Sequence, residues 1–121
     1  MSLALRADPT APECDRLVKQ GAHDKAHACY RLAIDRLRGG DARERLAVRI
    51  DYAGALERAG QYPQARNELD GTLTEADREL GPGSVEAADA LRRRGWVAYR
   101  LGNYAAAERS EEHTSELQSP I

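Results

Sequence analysis

Residues 59–73 read AGQYPQARNELDGTL, and residues 20–34 read QGAHDKAHACYRLAI. Aligned on Gly60 and Gly21, the two stretches share a ring two residues on (Tyr62, His23) and an alanine five residues on (Ala65, Ala26). They also share a large residue nine on (Leu69, Tyr30) and an aliphatic thirteen on (Leu73, Ile34). A third copy begins at residues 101–108, LGNYAAAE, with Gly102, Tyr104 and Ala107 in the same places. Seven residues before each glycine stands a small residue: Cys14, Ala53 and Gly95. This is a repeat with a physical sense. Glycine makes a tight corner, small residues on both sides let two helices cross closely, and the ring fills the space beside the corner.

Working outward, apolar residues recur near the helical period between sparse glycine and proline breaks. The spacing predicts helices over 10–20, 23–38, 42–59, from Pro63 to Leu80, and 85–101, with a sixth starting near Tyr104. Asp41 and Ser84 are the expected N-caps, and Pro63 suits a first helical turn. Composition agrees. The chain has 121 residues, no Phe, one Trp and five Tyr, with 41% hydrophobic residues, enough for one small Ala- and Leu-rich helical core. The fold expected is all-α.

The segments QGAHDKAHACYRLAI, AGQYPQARNELDGTL and LGNYAAAE resemble the corner and second helix of tetratricopeptide repeats. The 39- and 42-residue spacing of the corner glycines, with the linking run RELGPGSVEAADALRRRGWVAYRLGNYAAAE, is most similar to the longer repeats of the kinesin-light-chain type. The resemblance covers residues 10–108. It implies antiparallel helix pairs at 10–38, 41–80 and 84–108 stacked into a short right-handed superhelix of about two and a half repeats, with residues 1–9 disordered. Glu13 and Arg94 depart from it, standing where a leucine is usual, and His23 replaces the usual ring at the first corner.

Beyond Ala107 the pattern stops. Nine and thirteen residues past Gly102 stand Glu111 and Ser115, which would put charge and hydroxyl against the preceding helix pair. The last 13 residues, RSEEHTSELQSPI, resemble the conceptual translation of a common sequencing-library adapter. Residues 109–121 are therefore expected to be non-native, disordered or fortuitously helical, and the natural protein to be longer, with this chain cut inside its third repeat. His113 and Glu116 are given no function.

Charge narrows the function. Lys and Arg total 18 against 20 Asp and Glu, a net charge of −2, which speaks against nucleic-acid binding by bulk positive charge. No apolar run approaches the roughly 20 residues that a membrane span needs, so no membrane partner is expected, and a cytoplasmic location is. No nucleophile elbow, phosphate loop or zinc-finger spacing occurs, and the carboxylates are spread along helices among arginines. We expect no enzyme, no metal and no cofactor. His23 and His27, one turn apart with Cys14 and Cys29 in the vicinity, come nearest to a ligand set. The corner position of His23 and the small-residue position of Cys14 outweigh that reading. Cys29 is expected on a flank, with no disulfide to Cys14.

The candidate site lies on the fifth helix, where Arg92, Arg93, Trp96, Tyr99 and Arg100 fall at spacings of three, four and seven. The resemblance implies that the first helix of each pair lines a concave groove. Ile50, Asp51 and Glu57 are the matching positions on the third helix, beside Ala47, Gly54 and Arg58. Arginine with aromatics suits an acidic peptide. The function expected is a protein–protein interaction module holding a partner peptide in that groove. The alternative is a regulatory or sensor segment of a multidomain bacterial signalling enzyme, a Ser/Thr kinase or transcriptional regulator. Self-association through apolar faces left open at the C-terminal end is a further expectation.

Overall fold

The computed structural model describes the backbone of residues 10–117 and the side chains of residues 12–103. The expected disordered segment 1–9 lies outside the described residues, as do the side chains of Tyr104 and Ala107. Five helices follow one another: α1 (Thr10–Lys19), α2 (His23–Arg36), α3 (Ala42–Arg58), α4 (Tyr62–Leu80) and α5 (Val85–Leu117). No strand occurs among the described residues, so the protein is all-α. None of the helices in this range is long and apolar enough to cross a membrane.

Two corners are built alike. Gly21 and Gly60 take φ of 77° and 78°, a left-handed conformation that a Cβ would strain. In both, the residue after glycine donates its N–H to the carbonyl five residues back, Ala22 to Leu17 and Gln61 to Leu56, each at 2.9 Å. The glycine N–H itself reaches three residues back, to Val18 and Glu57, completing the same helix-ending motif twice. At the other ends, the Asp41 carboxylate accepts from the Arg43 N–H at 3.1 Å and the Ser84 hydroxyl oxygen accepts from the Ala87 N–H at 3.0 Å, as expected for N-caps.

Small residues do bring the helices together. Cys14, Ala26, Ala53 and Ala65 are all buried, and the last two join Ile50, Leu56, Leu69, Ala90 and Val97 in one core between α3, α4 and α5. A second core holds Cys14, Tyr30, Ala33, Val48 and Ala55, linking α1 and α2 to α3. Over it, the Tyr52 ring stacks on Tyr30 at 6.0 Å and meets the edge of His27 at 5.9 Å.

An ionic seam fastens α3 to α4. Arg45 donates to Glu75 (2.6 Å) and Glu79 (3.0 Å), and also to the Leu37 carbonyl at the end of α2 (3.1 Å). Arg49 donates to Glu68 and Glu75, each at 2.7 Å. Burial pushes the Glu75 carboxyl up, but the hydrogen bonds and charges of Arg49 and Arg45 outweigh it and hold Glu75 below its ordinary value. Arg94, one of the two departures at a leucine position, pairs with Asp70 and so ties α5 to α4 by charge where a leucine would have packed. Glu13, the other, is exposed.

Two expectations fail. Gly102 makes no corner: α5 runs unbroken through it to Leu117, and Gly102 does not take the positive φ of the true corner glycines. The reason lies beyond the glycine. Glu111 and Ser115 stand where the earlier repeats bury Tyr30 or Leu69 and pack Ile34 or Leu73. Folding back would gain little apolar burial, and the Arg-, Glu- and Leu-containing tail continues the helix. Gly95, the small residue meant to face that missing helix, is accordingly exposed. The second correction concerns the cysteines. Cys14 and Cys29 form a disulfide that joins α1 to α2, with Cα atoms 5.4 Å apart. Cys29 stands three residues after Ala26, one turn further along the face that meets α1, and this places its Sγ opposite Cys14 rather than on a flank.

Candidate functional site: a groove along the first helices

The first helix of each unit, α1, α3 and α5, contributes to one open groove of about 560 Å³. α1 packs on α3 and α3 on α5, so the three stand side by side like slats. From α3 come Asp51, Gly54, Glu57 and Arg58; from α5 come Arg93 and Arg100. A Cβ on Gly54 would meet the Arg93 guanidinium at 3.0 Å, so the absence of a side chain there gives Arg93 its seat.

The charges in the groove are unevenly satisfied. Arg100 lies 3.3 Å from Glu57 and its guanidinium sits 6.0 Å over the Tyr62 ring. Tyr30 donates its hydroxyl to Asp15, and its pKa is raised, first by burial and then by that hydrogen bond. Asp51 is raised as well, by desolvation and by the nearby Asp15, with Arg93 opposing and Asp89 adding to the rise. Lys19, Arg58 and Arg93 make no contact ion pair or hydrogen bond among the described residues; Arg93 acts on Asp51 by charge alone, and its Nε is buried beneath the groove surface without a partner. Unpaired cations facing an open groove are placed to receive an anion.

The fifth-helix cluster splits into two faces. Arg93 and Arg100, seven residues apart, face the groove. Arg92, Trp96 and Tyr99, at spacings of four and three, form a separate shallow surface with Gly95. Neighbouring residues on a helix are turned by about 100°, so Arg92 and Arg93 belong to adjacent stripes, which a list of allowed spacings merged into one. Trp96 and Tyr99 are 53% and 61% exposed and meet edge to face at 5.8 Å, while Arg92 is paired with Asp89. On α3, Asp51 and Glu57 line the groove, whereas Ile50 is buried in the core between α3, α4 and α5 and does not reach it. Ala47 is exposed but lies outside the groove lining.

Sequence reasoning missed the α1 wall, formed by Asp15, Val18 and Lys19, and also Tyr30. A signal for Lys19 was present: it stands two residues before Gly21, as Arg58 does before Gly60 and Arg100 before Gly102. His23 and His27 do not line this groove. Their rings lie 6.2 Å apart, and His27 is buried with Nε2 3.4 Å from the Ala55 carbonyl oxygen. No group of three or more metal-ligating side chains occurs among the described residues.

A family model described as Tetratricopeptide repeat matches residues 44–119, more than half of the chain. No curated protein and no solved structure matches.

Proposed function

Because the chain belongs to the tetratricopeptide repeat family, we propose that it is a protein-interaction module that holds an extended, acidic segment of a partner in the groove along α1, α3 and α5. The family is a non-catalytic repeat fold typical of protein binding, and on this reading the groove binds and does not react. The observation that carries the proposal is that three cations lining the groove, Lys19, Arg58 and Arg93, have no carboxylate in ion-pair contact among the described residues. A carboxylate arriving there satisfies donors that the fold leaves open, and hydrogen bonds to a charged group are the stronger kind. The 39-residue spacing of the two corner glycines, Gly21 and Gly60, supports the kinesin-light-chain-like subtype with its longer repeats.

The test compares two neighbouring arginines. A fluorescein-labelled, glutamate-rich peptide is titrated with the protein, and binding is read by anisotropy. Arg93→Glu is expected to abolish binding with helicity retained by circular dichroism, while Arg92→Glu, on the other stripe, leaves it within about twofold. Equal binding by wild type and Arg93→Glu would remove the groove from consideration.

A further inference from the structure

Lys19, Arg58 and Arg100 occupy one repeat position, two residues before Gly21, Gly60 and Gly102, and all three line the groove. One comes from each slat. Resting on the groove reading above, we propose that they form a cationic ladder that selects partners by the spacing of their acidic residues, preferring an extended peptide with a carboxylate at every third position.

The spacing follows from packing. Helices in contact place their axes about 8–10 Å apart, and α1, α3 and α5 are in contact in that order. Equivalent positions on successive slats are therefore separated by about 10 Å. A polyproline-type chain has three residues per turn and advances about 3.1 Å per residue, so residues i and i+3 lie on one side about 9 Å apart and a carboxylate at every third residue meets every rung, whereas a β-extended chain would turn alternate ones away. Contiguous carboxylates reach one rung and crowd it.

The remaining groove charges sharpen the preference. Asp51 and Asp15 bear on one another, as the rise in Asp51 shows, and stand among the lining residues away from the corner edge: Asp51 is two helical turns from Arg58 on the same face of α3. An acidic chain displaced towards them is repelled, while one held at the corner edge is not. Glu57 engages the Nε of Arg100, and the half-exposed guanidinium has further N–H donors that an incoming carboxylate can take without displacing Glu57.

The experiment uses the full chain and three labelled peptides of identical composition, each with three glutamates, placed at every third position, at every second position or contiguously. Binding is measured by anisotropy at physiological salt. The every-third peptide is expected to bind about tenfold more tightly than either isomer, the result of engaging two further rungs at about threefold each. Lys19→Ala, Arg58→Ala and Arg100→Ala should each weaken that peptide about threefold and narrow the gap between isomers, with Arg92→Ala as the unaffected comparison. Equal binding of the isomers overturns the ladder. If that equal binding still disappears in Arg93→Glu, the groove reading survives without the ladder; if it persists there, both fall. Tighter binding of a single-stranded oligonucleotide than of any peptide also overturns the proposal, since phosphates would then be the preferred anions.

Discussion

Glu75 joins two arginines at once, receiving Arg45 on one oxygen and Arg49 on the other. Its folded pKa is depressed below the ordinary 4.5, so its contribution to stability is complete above that value and is lost as pH falls through the folded pKa. Glu75→Gln removes the titration. At neutral pH the variant is expected to lose about 1–2 kcal/mol, less than a fully broken buried pair because Glu79 still serves Arg45 and Glu68 still serves Arg49. Well below the ordinary value the curves converge, because the wild type then loses what the variant never had. Urea unfolding across an acid series checks both the offset and the convergence. Nothing local in the sequence announced this seam. Arg45, Arg49 and Glu75 are 26 or 30 residues apart across the α3–α4 corner, so their meeting depends on the helix pair having formed.

Gly60 and Gly102 carry the same signature and have different fates. The first sits in a left-handed corner; the second lies inside a helix with nothing within 4 Å of where its Cβ would be. Gly60→Ala is therefore expected to destabilise the protein by about 1–2 kcal/mol. Gly102→Ala is expected to stabilise it by up to about 1 kcal/mol through helix propensity. Opposite shifts in the urea midpoint confirm that contrast, and a loss in both would show that Gly102 also turns in solution. The comparison explains what was legible. The corner glycines, the buried Cys14, Ala26, Ala53 and Ala65, and the N-caps Asp41 and Ser84 were readable because each rests on its immediate neighbours. Whether a glycine turns the chain depends on what its following helix can bury, and this the motif LGNYAAAE alone does not contain. The groove was half legible for a related reason: periodicity identifies stripes, but assigning Arg92 and Arg93 to different ones needs to know which neighbour each stripe meets.

Across the whole molecule the means of attachment change along the chain. α1 is held to α2 covalently, α3 to α4 by charge and core, and α5 to its predecessors by one face only, with Leu91, Trp96 and Tyr99 left exposed on the other. α1 has ten residues, short for a helix to persist unaided. The disulfide closes a loop with a sequence separation of 15, for which the chain-entropy account gives about 3 kcal/mol. The paired variant Cys14→Ala, Cys29→Ala should lose about 2–3 kcal/mol. The first of these changes installs the residue type that Ala53 already supplies at the equivalent crossing, so the loss reports the bond rather than the packing. Added reductant should lower wild type towards the variant and leave the variant unchanged. That pairing escaped the sequence reading because two cysteines fifteen apart do not specify contact. Once Cys14 is known to cross near Ala26, the one-turn offset to Cys29 does.

The same cross-link decides how the molecule would carry load. A pull on the N-terminal end passes at Cys14 straight into Cys29 on α2, bypassing the corner between them. The bypassed segment is hidden length: at about 3.3–3.6 Å per residue, roughly 50 Å of chain cannot be drawn out while the sulfurs remain joined. The Asp15 and Lys19 wall of the groove belongs to that shielded segment, so tension spares it until the bond is cut.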